Sequence, residues 1–453
     1  MKTVAVIDIG KTNVKLALVD LDTRSEIAVE TAPNTVLPGP PWPHFDTDAQ
    51  WQFLIEALCR MAARHRIDGI TVTTHGACAA LLDAGGDLAA PVLDYEHTGP
   101  DGLTAAYNAI RPPFSETGSP RLPMGLTLGA QLHYMLETDP GLLARTAHVV
   151  TWPQYWGFRL TGQVACDVSS LGCHTDLWNP TRGTWSSLPA RLGLADKMAP
   201  PRNPGDALGT LTPALQRETG LGPVPVLTGI HDSNASLVPH LLSRPAPFAV
   251  VSTGTWVISM AIGGTFPALD PARDTLVNVS ALGRPVPSAR FMGGREYDLM
   301  RPQTPTAPTP DDADRVRRNA VMLLPSVVPG CGPFPTHRHR WTATPATDAE
   351  REIALGYALA LTTATCLDLI GAQGPTLIEG PFAANPWYLA MLATATARPV
   401  IPSQARTGTA LGAALLFCSD PPAAPPDAHI QHPDPALAPY ARAWRAAVAA
   451  MAG

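Results

Sequence analysis

The residues Thr3-Val4-Ala5-Val6-Ile7-Asp8-Ile9-Gly10, followed by Val14-Lys15-Leu16-Ala17-Leu18-Val19, read as two β-strands joined at a glycine turn. Near the middle of the chain, Phe248-Ala249-Val250-Val251-Ser252-Thr253-Gly254, followed by Val257-Ile258-Ser259-Met260-Ala261-Ile262, repeats the pattern. Placing Gly10 on Gly254 aligns most of the flanking apolar residues without a gap. A hairpin repeated at the start of each half predicts a duplicated α/β architecture. The boundary falls in Pro239 to Pro247, giving domains at 1–240 and 247–453.

Outward from the hairpins the periodicity alternates between helix and strand. Asp48 to Arg64 repeats its apolar residues at helical spacing, and Gly69-Ile70-Thr71-Val72-Thr73-Thr74 reads as a buried strand ending at a polar turn. Val224 to Leu227 is a further apolar strand. Residues 349–372 and 386–397 read as helices with the strand Pro375 to Ile378 between them, and Thr407 to Phe417 as another helix. Prolines cluster at Gly39 to Pro43, Pro302 to Pro310 and Pro421 to Pro426. A residue that cannot donate to a helix or sheet ladder predicts exposed loops there. Met292-Gly293-Gly294-Arg295 reads as a surface turn.

Of the 453 residues, 45% are hydrophobic and 15% charged, the balance of a well-buried globular chain. The formal charge of −6 argues against a nucleic-acid surface, which needs a basic stripe. The seven cysteines include no Cys-x-x-Cys pair, so neither a zinc knuckle nor a redox motif is indicated. No run of about 18 apolar residues predicts a membrane span, and Met1-Lys2-Thr3 leads directly into a strand pattern. The expectation is a cytoplasmic protein with no membrane partner, and a homodimer is left open.

The chemistry concentrates at the hairpin tips. A glycine turn lets backbone N–H groups approach phosphate oxygens; Thr12 adds a hydroxyl and Lys15 a cation. Asp8, at the strand end, suits a hydrated magnesium ion. Ser252-Thr253-Gly254-Thr255 offers hydroxyls and a glycine at the second tip but no acid. Together the two tips suggest a clamp for a polyphosphate.

These motifs resemble the FGGY carbohydrate kinases of the actin-like ATPase superfamily, in order and over nearly the whole chain. Asp8 to Thr12 and Ser252 to Thr255 are similar to the family's two phosphate motifs. Tyr155 to Gly162 and Asp167-Val168-Ser169-Ser170 resemble a further family segment, and Asn385-Pro386 and Gly408 to Ala414 resemble the nucleotide-side motifs. The resemblance implies two ribonuclease H-like, actin-like α/β domains flanking a deep inter-domain cleft. It also implies ATP and Mg2+ as cofactors and a small sugar, a ketose or deoxyketose, as acceptor.

Residue by residue, the resemblance gives Asp232, in Gly229-Ile230-His231-Asp232-Ser233-Asn234-Ala235, as the base that takes the sugar hydroxyl's proton. A carboxylate that opens a helix is also a natural cap, and the two roles can coexist. Gly10, Lys11, Thr12, Asn13, Lys15, Thr253, Gly254 and Thr255 fall on the phosphates. Gly380, Pro381, Phe382 and Asn385 fall on the nucleotide, Glu379-Gly380-Pro381 replacing a run of glycines. His75 and Gly76, with Asp94, Tyr95 and Glu96, fall on the sugar alongside Asp232; Asp8 and Asp232 are the carboxylates on the magnesium side.

Two other readings use the same residues. One is a non-catalytic regulator that binds sugar or nucleotide, which has little reason to keep both Asp8 and Asp232. The other is a different actin-like phosphotransferase, against which the Tyr155 to Gly162 segment argues.

Overall fold

The computed structural model describes residues 2–304, 307–403, 408–418 and 429–451. The proline cluster Pro421 to Pro426 lies outside the described residues. The chain divides into two compact units, the first within Met1–Arg244, Val277–Pro285 and Thr407–Ala424, the second within Pro245–Leu276, Val286–Arg406 and Pro425–Gly453.

The first unit is built on β1 (Thr3–Ile9), β2 (Asn13–Asp20), β3 (Ser25–Pro33), helix α1 (Thr47–Ala62), β4 (Gly69–Thr74) and helix α2 (Trp152–Thr161). Strands β5 (Ala207–Thr210), β6 (Pro225–Leu227) and β7 (Ile230–His231) lead into helix α3 (Asp232–Ser243). The sheet order is β5-β6-β4-β1-β2-β3, with β7 also paired to β4. Strands β1 and β4 are parallel with Ile9 opposite Thr74, and β7 is parallel to β4 with His231 opposite Thr74. The residues that follow these strands, Gly10, His75 and Asp232, therefore emerge at one end of the sheet.

Successive side chains of a strand point to opposite faces. In β1, Ala5, Ile7 and Ile9 join the larger core with Leu54, Leu58 and Trp152, whereas Val4 and Val6 join a smaller one with Ala235, Val238, Ala410 and Ala413. Each fully buried Leu or Ile contributes roughly 1.5–3 kcal/mol by leaving water. Asp8 continues the even-numbered series and so lies on the face of the smaller core.

The second unit repeats the plan. It is built on β8 (Phe248–Thr253), β9 (Val257–Ile262), β10 (Thr275–Val279, of which Thr275 and Leu276 fall within this unit), β11 (Pro285–Phe291, from Val286 on), helix α4 (Gly293–Met300) and helix α5 (Asp348–Leu369). It continues with β12 (Thr376–Glu379), helix α6 (Pro386–Thr396) and β13 (Val400–Pro402). The order is β10-β11-β9-β8-β12-β13. In both units a central hairpin strand has an antiparallel partner on one side and a parallel strand on the other. The repeat of the plan is the duplicated α/β architecture expected from the hairpins, and its strand pattern is the ribonuclease H-like one that the resemblance implies. Among the described residues, α5 alone is long and apolar enough to cross a membrane, and most of it is buried in the second unit's core.

Two local expectations change. Gly293-Gly294 starts α4 rather than a surface turn, and Arg295 N donates to Thr255 O at 3.3 Å, so the helix begins against the second hairpin tip. Helix α7 (Thr409–Ala414), which the sequence reading places in the domain at 247–453, belongs to the first unit. Its Ala410 and Ala413 complete the smaller core under β1 and α3.

Candidate functional site

Three side chains gather at the carboxyl ends of β1, β4 and β7. Asp8 accepts a 2.7 Å hydrogen bond on Oδ2 from Thr409 Oγ1 at the start of α7. Burial raises its pKa above the ordinary carboxylate value, against the pull of Thr409 and Lys15. Asp232 is close enough for its charge to add to that rise. Asp8, Gly10, Thr12, Asn13 and Lys15 line one cavity of about 330 Å³ with Thr31. Five sequence-predicted phosphate and metal residues are thus brought together.

Asp232 is the first residue of α3, and its two oxygens differ. Oδ1 accepts from Ser233 N at 2.6 Å and from Ser233 Oγ at 3.3 Å, and His231 Nε2 stands 3.1 Å from it as an ion-pair partner. Among the described residues no hydrogen bond reaches Oδ2. Burial would raise the pKa of this group, but the His231 ring outweighs it and holds the carboxyl below its ordinary value. For His231 burial acts the other way, and Cys173 and Asp232 overcome it, raising the ring well above the usual imidazole value. The result is a carboxylate, ionised at neutral pH, with one oxygen anchored and the other open.

His75, next along the sheet end, is 9% exposed and lies among rings, 5.0 Å from Tyr95 and 5.5 Å from Phe45 between centroids. Burial lowers its pKa to about 4, so the ring is neutral, and neither ring nitrogen has a hydrogen-bond partner among the described residues. Buried polar atoms are seldom left unpaired outside functional sites. A neutral imidazole presents one donor and one acceptor, which matches a sugar hydroxyl. At Gly76 a Cβ would come within 2.8 Å of the His231 ring, so the glycine makes room for that ring.

Lys11 sits apart from the other tip residues. Its Nζ is paired with Asp94 Oδ1, lies 3.1 Å from Glu96 Oε2 and stands 4.9 Å over the Tyr95 ring. The residue predicted for phosphate therefore holds the loop predicted for sugar. Lys15 pairs with Glu26 at 2.7 Å while still acting on Asp8.

In the second unit Gly254 and Thr255 are exposed at the hairpin tip, but Thr253 is buried. Its hydroxyl donates to Glu379 O at 2.5 Å and accepts from Phe382 N at 3.1 Å. It therefore ties the hairpin to the following turn, which leaves the tip itself to Gly254 and Thr255. Gly380 has φ +83°, and a Cβ there would lie 2.0 Å from Thr253 O, so only glycine fits. Pro381, Phe382 and Asn385 line a cavity of about 980 Å³ with Tyr297, Glu352 and Trp387. Asn385 Oδ1 caps α6, accepting from Trp387 N and Tyr388 N at 3.0 and 3.1 Å. Sequence reasoning missed Tyr297, whose hydroxyl donates to Glu352 Oε1 at 2.9 Å, together with Thr409 and His231.

Residues 3–239 match the N-terminal domain of the FGGY family of carbohydrate kinases, and residues 245–426 match the C-terminal domain of carbohydrate kinase FGGY. The chain belongs to the FGGY family of carbohydrate kinases. A carbohydrate kinase from Novosphingobium aromaticivorans has a solved structure that is 37% identical, with a TM-score of 0.89 over 98% of this chain and 100% of that one. Xylulose kinase from Lactobacillus acidophilus, 14% identical with a TM-score of 0.78 over 99% and 97% of the two chains, shares the fold. Rhamnulokinase of Yersinia pestis (strain Pestoides F) is 30% identical over 230 residues, 49% of this chain and 45% of that protein. L-fuculokinase of Haemophilus influenzae is 29% identical over 202 residues, 43% of this chain and 42% of that protein. The chain spans about half the length of these curated relatives.

Among the described residues, no group of three or more His, Cys, Asp or Glu side chains converges as a metal cage. The donor set of this FGGY chain instead suits a hydrated divalent cation. Asp8 is a carboxylate raised in pKa by burial, with Lys15 as the cation acting on it and a second carboxylate nearby. Magnesium keeps several waters and takes few protein ligands when phosphates supply the rest.

Proposed function

We propose that this protein transfers the γ-phosphoryl group of MgATP to a hydroxyl of a small ketose or deoxyketose in the cytoplasm. The observation that carries the reading is the Asp232 carboxylate, anchored through Oδ1 and open at Oδ2. Such a group can accept the proton of an attacking hydroxyl while its orientation stays fixed. His75, with two unpaired nitrogens, and the loop Asp94-Tyr95-Glu96 held by Lys11 would bind the other hydroxyls. Gly10, Thr12, Asn13 and Lys15 would receive phosphate oxygens. In the second unit, Gly254 and Thr255 would do likewise, and the cavity lined by Pro381, Phe382 and Asn385 would hold the base and ribose. Magnesium, held through water by Asp8 on the side shared with Asp232, would neutralise the charge that develops on the transferring phosphoryl group.

The names of the relatives support the acceptor class, since they include a rhamnulokinase, an L-fuculokinase and a xylulose kinase. The test is a screen of the purified chain with ATP and magnesium against L-rhamnulose, L-fuculose, D-xylulose and glycerol, with ADP release coupled to an optical signal. Sugar-dependent ADP release with at least one ketose is expected. Release that no sugar stimulates would contradict the reading.

A further inference from the structure

We propose that His231 and Asn234 form a positioning pair that keeps the Asp232 carboxylate in one orientation, the His231 ring being held with Nε2 3.1 Å from Oδ1. The inference rests on the reading of Asp232 as the base. Rotation about a carboxylate's terminal torsion is soft and roughly two-fold. The Ser233 donors belong to the turn that opens α3, whereas His231, whose ring stands beside Oδ1, is also tied to Ser169 and Asn234.

The ring is held on every side. His231 is 6% exposed, and its backbone N donates to Ser169 Oγ at 3.2 Å; Ser169 is in turn bonded to the buried Asp167. Gly76 lies against the ring, and Cys173 Sγ is 3.8 Å from Nε2. Nδ1 is 3.2 Å from Asn234 Nδ2, which lies three residues on, in the first turn of α3. An amide suits Nδ1 in either charge state of the ring. Its NH2 donates to a bare nitrogen, and after a half-turn its oxygen accepts from N–H. With Nδ1 served both ways, the ring keeps Nε2 in its place between Cys173 Sγ and Asp232 Oδ1. Fixing a reacting group through a second layer of contacts supplies orientation that the transition state requires.

The test is steady-state kinetics of the full chain with ATP and the panel ketose of largest kcat/KM. His231→Leu is expected to lower kcat about a hundredfold with both KM values within threefold of wild type. His231→Gln, which keeps an N–H near the Nε2 position, should recover at least tenfold of that loss, and Asn234→Leu should lower kcat about tenfold. A raised sugar KM with kcat intact would make His231 a substrate contact, and a Gln variant no better than Leu would make it packing; either overturns the pair. Should His231→Leu fail to fold, Gly76→Ala pushes a methyl against the ring without removing a polar atom, and an unchanged kcat there overturns the pair as well. Asp232→Asn separates the two levels. An inactive Asp232→Asn beside a fully active His231→Leu sinks the pair alone, whereas an active Asp232→Asn, or a panel in which no sugar reacts, sinks the base and the pair together.

Discussion

In the first unit the residue that follows the parallel strand beside the hairpin is His75; at the same topological place in the second unit stands Gly380. The strands that deliver them are built alike. His75 presents two unpaired ring nitrogens from a buried ring, whereas Gly380 clears the backbone, with φ +83° and its α-carbon against the Thr253 carbonyl. The hairpins diverge in the same sense. The first holds an acid, Asp8, opposite Lys15, and spans Ile9 to Val14, while the second lacks an acid and is one residue tighter, from Thr253 to Val257. One sheet plan has thus been fitted with charged and hydrogen-bonding side chains in one copy and with close backbone approaches in the other. That division matches acceptor chemistry on the one hand and a bulky, already anionic nucleotide on the other.

The contrast is broken most severely at Gly380. Gly380→Ala places a Cβ where Thr253 O already lies and demands a left-handed conformation of alanine, so a loss of more than about 3 kcal/mol is expected. Gly10→Ala, whose Cβ would meet nothing nearer than Asn13 O at 3.5 Å, should cost less than about 1 kcal/mol. Denaturant unfolding of the two variants measures both; equal losses would erase the distinction between the turns.

A pH titration sharpens the other half. His75 is lowered to about 4 in the fold and returns to 6.5 when unfolded. Between those values the unfolded chain binds the extra proton. Stability tied to the neutral ring is therefore present above about pH 6.5 and is lost as the pH falls towards 4. Converted at 1.36 kcal/mol per pH unit, the loss is at most roughly 3–4 kcal/mol. Thermal unfolding of wild type should fall more steeply over that window than that of His75→Gln. Parallel curves would mean that the ring is not held neutral.

The smallest effect concerns Lys11. Because its ammonium sits on Asp94 and Glu96, Lys11→Met should raise the sugar KM about tenfold and leave the ATP KM within twofold. The opposite pattern would return Lys11 to the phosphates, where motif position alone puts it.

Much of this architecture is legible in the sequence because its signals are local. Strand alternation, a glycine at the turn and apolar runs at helical spacing announce both hairpins, α1, β4 and the helices on either side of β12. Asp232 is reached through the resemblance of Gly229 to Ala235 to the family motif, since the Ser and Asn behind it signal by themselves only a helix start after a strand. What escapes is what depends on distant partners. Thr409 meets Asp8 across 401 positions, and nothing near Thr409 signals that α7 returns to the first unit. Lys11 finds Asp94 across 83 positions, and the Thr253 hydroxyl finds Glu379 across 126. Helix α4 begins on two glycines, residues of low helix propensity without a polar cap, so tertiary packing against the hairpin tip decides it.

The account stands most directly on the kinetics of Asp232→Asn, measured with saturating ATP and sugar alongside calorimetric titration of ATP. Loss of the open Oδ2 as a proton acceptor should lower kcat by about 10²–10⁴-fold while ATP affinity stays within threefold. A variant that phosphorylates sugar at the wild-type rate would contradict it.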